Sequence, residues 1–367
     1  MNATPESPSA VTIRPPKLVQ SLVGGFNTVA NHVYLILLPV ALDLLLWFGP
    51  HLRIKTLMEP QVRDLLGLMR QTSSTEMRPV LENMQQLWML FLEQYNLLTT
   101  LSTFPIGVPT LMSSQLPMRT PLGPPGIYEI YSLGQFLLGW LSLTLLGYIL
   151  GTLYFSGLAQ CCAKQVGLSG PDTGCDGEHI PQPAAEGQDV FSRLNLRGNR
   201  LPPFRPSTLA WQFVQVIGLV IAMLIILLVL MVPSLLLASL LALVSPFLAQ
   251  MALLLVSFSA VWFLVPLIFS PHGIFLCGQS VINAMLNSAR VVRHILPGTG
   301  IFLLAAIILN QGMGVLWRIP PESSWMALVG VFGHAVITTG LLAASFIYYR
   351  GGLTYVQSLR KLSYKPM

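Results

Sequence analysis

LAWQFVQVIGLVIAMLIILLVLMVPSLLLASLLALVSPFLAQMALLLVSFSAVWFLVPLIFS, Leu209 to Ser270, is the stretch that decides the architecture. It lies in a longer run, Pro206 to Ala289, with no Lys, Arg, Asp or Glu and a single histidine, His272. A bilayer core is about 30 Å thick and takes about 20 helical residues to cross. At about 1.5 Å per residue the 62-residue block makes roughly 93 Å of helix, enough for two crossings with about 20 residues over. Pro233 and Pro246 are the expected breaks, because proline removes a helical donor and clashes with the preceding turn. That places span three at Thr208–Val232 and span four at Pro246–Phe269. Ser234–Ser245 is then expected either to extend a span or to form a re-entrant or surface piece.

Composition agrees. The 367 residues are 53% hydrophobic and 9% charged, with a mean hydropathy of +0.66, whereas soluble domains carry about 25% charged residues. The net charge of +6 fits basic loops beside anionic lipid. With no basic run interleaved with aromatics, nucleic acid is not an expected partner. Cys161, Cys162, Cys175 and Cys277 form no CxxC pair, so free thiols are expected rather than a disulfide framework or a zinc site.

Outward from the block, four more spans emerge. Leu18, Leu22, Phe26 and Val29 recur at helical spacing, predicting an amphipathic surface helix that leads into span one, Val29–Trp47. Span two is Ser132–Leu158, with Gly147-x-x-x-Gly151 as a spacing that lets helices approach closely. Span five is Gly300–Trp317 and span six Trp325–Tyr349. Between spans one and two lies a 79-residue insert, residues 51–129, with helices expected at Leu57–Met69 and Val80–Leu98 and a Pro-rich stretch after Phe104. The division is therefore 1–28, tail and amphipathic helix; 29–158, two spans with the insert; 159–205, a polar loop; 206–349, four spans with an interfacial helix at 276–296; and 350–367, a basic tail. The fold class is an all-α polytopic transmembrane bundle of about six spans, with interfacial helices and a helical extracytoplasmic insert.

Charge sets the expected orientation. With six spans and both termini cytoplasmic, thirteen of the twenty cations fall on the cytoplasmic side. Six of the rest sit in the insert, which is too long for loop charge to count for much. A seventh span would send Arg290, Arg293 and the basic tail outside. The expected location is the cytoplasmic membrane of a bacterium.

The polar residues inside this frame are few. Asp43 is the one Asp, Glu, Lys or Arg within a predicted span. Intramembrane carboxylates are costly and often functional, although near a span end this one could also cap a helix or pair with Arg53 or Arg318. His32, His334 and Asn310 are the other intramembrane candidates, each weighed against ordinary hydrogen-bonded packing. Gln279, Asn283, Asn287, Arg290 and His294 share one helical face, with Ile282, Met285, Ala289 and Val292 opposite. That face is expected to meet solvent, lipid headgroups or a partner. No HExxH, GxSxG or Walker-type loop occurs and no carboxylates pair within a span, so no catalytic residue, metal ligand or cofactor is assigned.

The polar helix Gln279-Ser-Val-Ile-Asn-Ala-Met-Leu-Asn-Ser-Ala-Arg-Val-Val-Arg293 followed by a span resembles bacterial six-helix membrane proteins related to the membrane domain of glycerophosphodiester phosphodiesterases. The resemblance covers Leu209 onward and implies a six-helix bundle. In that group the chemistry resides in an additional soluble domain, and no catalytic residue is carried over. The insert after span one departs from the pattern. Two readings stand: a non-enzymatic scaffold, assembly factor or complex subunit with protein partners or a homo-oligomeric state, or a transporter or lipid-handling protein with a polar site near Asp43. Membrane lipids are expected partners of both.

Overall fold

The computed structural model describes residues 15–72, 78–115, 119–165 and 206–363. Residues 166–205 of the predicted polar loop, Cys175 among them, lie outside these ranges. The fold is an all-α membrane bundle. Five of the described helices are long and apolar enough to cross a membrane, or six if a bent N-terminal pair is one span.

That pair corrects span one. Helix α1 (Leu18–Asn31) ends at His32, and the chain continues through a 3-10 turn (Val33–Ile36) into α2 (Leu37–Phe48) after a 93° bend. Leu18 and Leu22 are only partly buried. The face that packs deepest is Ser21, Gly25 and Thr28, set against the final helix, α12 (Ala327–Ser363). A Cβ at Gly25 would stand 2.4 Å from Gly340 O and 2.5 Å from Ala344 N, so glycine is what allows the two backbones to meet. The predicted surface helix is thus an integral part of the bundle.

The insert begins with β1 (His51–Arg53), paired in parallel with β2 (Ile127–Glu129). Between them lie α3 (Lys55–Thr72) and α4 (Arg78–Gln94), close to where helical spacing put them. Leu66, Leu81, Leu92 and Leu97 form their small core. After Asn96 the chain leaves this cap and descends alongside α6 (Leu133–Gln165). The descent comprises a 3-10 turn at Leu97–Leu101, a loop containing the cis peptide Phe104–Pro105, and the short helix α5 (Met112–Gln115). Added Cβ atoms on α6 would meet Leu97 at Gly139 (3.2 Å), Leu101 O at Gly147 (2.6 Å) and Ile106 O at Gly151 (2.8 Å). The Gly147/Gly151 spacing therefore receives a re-entrant loop, not a second helix, and part of the predicted extracytoplasmic insert is built into the bundle.

The charge-free block forms a long hairpin. Helix α7 (Pro206–Val244) runs 39 residues without breaking at Pro233, a correction to the predicted end of span three. Ser234 Oγ donates to Leu230 O at 2.6 Å; such side-chain bonding, together with the dry surroundings, lets a membrane helix tolerate proline. Ser234–Val244 thus extends the span, and the break falls at Ser245. Helix α8 (Pro246–Leu264) returns, and a 3-10 turn (Val265–Leu267) joins it to α9 (Ser270–Cys277), carrying span four past its predicted end at Phe269. The turn's freed groups are taken by Ser288 of the next helix, whose Oγ accepts from Phe269 N (3.1 Å) and donates to Pro266 O (2.7 Å). Beyond Leu219 the hairpin is mostly exposed apolar surface, as lipid contact requires.

Gly278, with φ of 62°, ends α9 in the left-handed conformation that glycine adopts without strain. Helix α10 (Val281–His294) follows. It buries Ala284, Ser288, Val291 and Val292, while Ile282 is exposed, so its inward face is rotated from the predicted Ile282/Met285/Ala289/Val292 set. Helix α11 spans Leu296–Trp317 with Pro297 in its first turn, where proline needs no donor. Helix α12 continues to Ser363, so most of the predicted basic tail is helical. Cys161 and Cys162 are buried free thiols, but Cys277 is disulfide-bonded, correcting the expectation of free thiols there. Spacing along a chain says nothing of which thiols meet.

Two outcomes follow from these contacts. Gly147→Val should force the re-entrant loop off α6, at a cost of about 1–3 kcal/mol for overpacking. A cysteine placed at Thr103 should then react faster with a water-soluble maleimide than in the parent; equal rates would contradict the wedge. Separately, His51 is buried in the insert, and loss of water, with a smaller effect from the nearby Arg53 charge, holds its pKa below the ordinary value. A depressed histidine contributes stability above its unfolded pKa of about 6.5 and loses it as pH falls. The thermal midpoint in detergent should drop from pH 7.5 to 5.5, and His51→Asn should flatten that slope.

Candidate functional site

The re-entrant loop does not fill the space it enters. Between it and α6, α9, α11 and α12 lies an open groove-like cavity of about 580 Å³. Its walls are mainly apolar, among them Phe155, Val265, Phe302, Leu303, Ile307 and Leu341. A few polar side chains interrupt them: Ser102 and Thr103 from the loop, His272 from α9, Asn310 and Gln311 from α11, and Thr338 and Ser345 from α12.

Each polar group arrives by a local rule. Thr103 Oγ1 turns back to Ile106 O at 2.6 Å, closing the loop on itself. Ser345 Oγ donates to Leu342 O at 2.7 Å, the usual fate of a helical serine in an apolar setting. The same oxygen lies 2.7 Å from His272 Nε2. Donor and acceptor roles between Ser345 Oγ and His272 Nε2 follow the tautomer of the ring. Phe346 holds the ring at 4.3 Å and Phe269 at 5.3 Å. His272 is only 5% exposed, and neither its Nδ1 nor the buried Oδ1 of Asn310 has a hydrogen-bond partner among the described residues.

Of the four intramembrane candidates read from the sequence, only Asn310 lines this cavity. Asp43 is fully buried, and its Oδ1 accepts from Met112 N at 2.8 Å. It tethers the end of the re-entrant loop. Neither suggested partner holds it: Arg318 donates to Ser114 Oγ at 2.8 Å instead, one residue pair further along α5. His32 sits at the bend of the N-terminal pair, its Nδ1 3.2 Å from Thr28 O and its ring edge-on to Tyr34. His334 lies on α12 outside the cavity lining, its carbonyl accepting from Thr338 Oγ1 at 2.7 Å.

The polar stripe is divided. Asn283, Arg290 and His294 are exposed on α10, with Arg290 Nη1 donating to Asn287 Oδ1 at 2.9 Å and His294 Nδ1 lying 2.8 Å from Arg290 O. Gln279 precedes the helix and is buried against Gly273, because the left-handed turn at Gly278 lifts it off the predicted face. Among the described residues no three His, Cys, Asp or Glu side chains are grouped as metal ligands.

His272 was the residue that sequence reasoning passed over. Its signal was present: it is the one histidine in a run of 84 residues that holds no Lys, Arg, Asp or Glu. Nothing local linked it to Ser345, 73 positions away.

No protein-family model matches this chain, and no curated protein or solved structure matches it.

The tether at Asp43 has a direct test. Asp43→Asn keeps an acceptor for Met112 N and should leave stability nearly unchanged. Asp43→Leu strands a buried backbone donor and should cost about 1–3 kcal/mol. Thermal unfolding of the two variants in one detergent separates them; equal loss in both would mean that charge rather than the hydrogen bond matters.

Proposed function

We propose that this chain is a membrane protein that binds an amphiphile within the bilayer, in the lipid-handling or transport class, with the cavity beside the re-entrant loop as its binding place. The observation that carries this reading is the lining: long apolar walls interrupted by a few convergent polar groups, the pattern of small-molecule sites. The walls suit acyl or isoprenoid chains, and His272, Asn310 and Ser345 suit a polar head. The sequence-based expectation of a polar site near Asp43 moves, in this proposal, to Asn310 and His272, with Asp43 securing the loop that forms one wall. We place the protein in a bacterial cytoplasmic membrane with both termini cytoplasmic, on the strength of the cation distribution. We propose a relation to six-helix phosphodiesterase-associated membrane domains on the resemblance of the chain from Leu209 onward, carried by the polar helix Gln279–Arg293 and the span after it.

A second reading, a scaffold or complex subunit, draws on the α7–α8 hairpin. Beyond Leu219 its apolar side chains are largely exposed, a broad intramembrane surface that suits a protein partner or a second copy as well as lipid.

Ala306 lines the cavity from α11, and Ala306→Trp should fill much of it. The purified parent chain should gain thermal stability from a matching amphiphile, by about 2.7 kcal/mol at a hundredfold excess over Kd. A folded Ala306→Trp variant, judged by gel filtration and circular dichroism, should gain little. Full stabilisation of that variant would move the binding place elsewhere and remove the main support for this reading.

A further inference from the structure

At the end of the bundle that carries the insert, α5 and the turn between α11 and α12 meet around an open cleft of about 510 Å³. Arg119 enters it from the insert, Arg318 from the turn, and Ser114 and Gln115 from α5, with Glu322 as the one acid of the described lining. None of these residues lines the groove beside the re-entrant loop. The walls are fixed. Arg318 Nη2 donates to Ser114 Oγ at 2.8 Å, and that hydroxyl donates in turn to Leu111 O at 2.8 Å. Asp43 holds the same stretch at Met112 N. The opposite wall is pinned where Trp47 Nε1 donates to Glu322 O at 3.0 Å, and Pro320 and Pro321 stiffen the turn before it.

Charge in this cleft is unbalanced. Neither Arg119 nor Arg318 forms an ion pair with a described carboxylate, so two guanidinium groups converge on one volume without neutralisation. Arg318 gives one of its five N–H groups to Ser114. The planar fork of a guanidinium matches the oxygens of a phosphate two at a time. Depth supplies the setting. Helix α11 has 22 residues, about 33 Å of helix, which matches a hydrocarbon core of about 30 Å. Arg318, the next residue, falls at the level of lipid headgroups. We propose that the cleft binds a phosphate-bearing anion at the membrane surface, with Arg119 and Arg318 as the contacting groups. Ser114 is a positioning residue that holds the Arg318 fork in place. The phosphate is that of a lipid head or of a soluble compound, since both reach this depth and the same two forks would take either. The cleft is independent of the amphiphile groove, and the two readings stand or fall separately.

Full-length protein in a neutral detergent is titrated at constant ionic strength with three probes: a phosphatidic acid, the diacylglycerol of the same chains, and inorganic phosphate. Thermal unfolding reports binding, because a ligand of the folded state raises its stability. The expected result is stabilisation by at least one phosphate probe, with apparent affinity falling about tenfold in Arg119→Gln and in Arg318→Gln, as loss of a charge-assisted hydrogen bond predicts. Arginine-dependent stabilisation by phosphatidic acid alone identifies a lipid; the same response to inorganic phosphate identifies a soluble anion as a sufficient ligand. The response to diacylglycerol should not change in either variant. Arg293→Gln, which removes an exposed charge from α10, should behave as the parent, and so should Ala306→Trp towards inorganic phosphate. Absence of stabilisation by both phosphate probes, a parent-like response in Arg119→Gln, or an equal loss in Arg293→Gln overturns the site. Arg119 is exposed, so Arg119→Gln decides the matter even if Arg318→Gln, which also removes the tie to Ser114, fails to fold.

Discussion

A backbone at membrane depth must find all its hydrogen bonds within the protein, because lipid offers none. Helices satisfy this by themselves; the segment from Leu97 to Met112 does not, and much of the remaining structure answers to it. Thr99, Thr100 and Thr103 bond carbonyls three residues away. Tyr148 OH reaches out from α6 to Phe104 O at 2.8 Å, and Asp43 takes Met112 N. Gly139, Gly147 and Gly151 lower the surface of α6 so that the loop can lie against it. An aspartate, a tyrosine and three glycines on two different helices thus serve one irregular stretch. Their cost within an apolar span becomes intelligible once the loop is present.

The loop's presence in turn creates the cavity. Two helices in contact interdigitate side chains and leave little space. A loop held by its own backbone bonds and two side-chain anchors cannot adapt its outline in the same way. The space it leaves is bounded on the far side by the 3-10 turn at Val265–Leu267, where α8 gives way to α9, itself stabilised by Ser288 of α10. The two non-helical pieces thus bound one site. Irregular backbone at membrane depth is generally confined to places where it is buried in protein or lines a cavity, and here it does both.

The N-terminal pair and α12 form the frame that holds these parts in register. Gly25 and Gly340 bring α1 onto α12, Trp47 Nε1 donates to Glu322 O at 3.0 Å, and Arg318 reaches Ser114 on α5. The turn between α11 and α12 is thereby joined to both α2 and the end of the re-entrant loop. The α7–α8 hairpin contributes least to this frame. Its N-terminal part packs Val216 and Leu219 inward and its remainder faces outward, a division of labour between anchoring and lipid contact along one helix.

What the sequence alone determined follows from quantities that add up along the chain. Hydropathy over about 20 residues fixes which segments can cross a bilayer, and 3.6-residue spacing identifies α3, α4 and α10 as helices. Even the boundaries missed at Pro233 and Tyr349 erred by ending helices early, since proline and charge stop helices in water more firmly than in a packed membrane protein. What only the tertiary structure decided are the relations that local pattern does not encode. Gly147 and Gly151 mark a close approach in the sequence, but not whether a helix or a loop makes it. Asp43 announces a buried carboxylate, but its partner is a backbone N–H 69 residues away. His272 and Asn310 lie on separate helices and come to line one groove only because a loop, a turn and two helices meet there. Hydrogen bonds and cavities depend on distances in space, and those are set by the packing of the whole bundle.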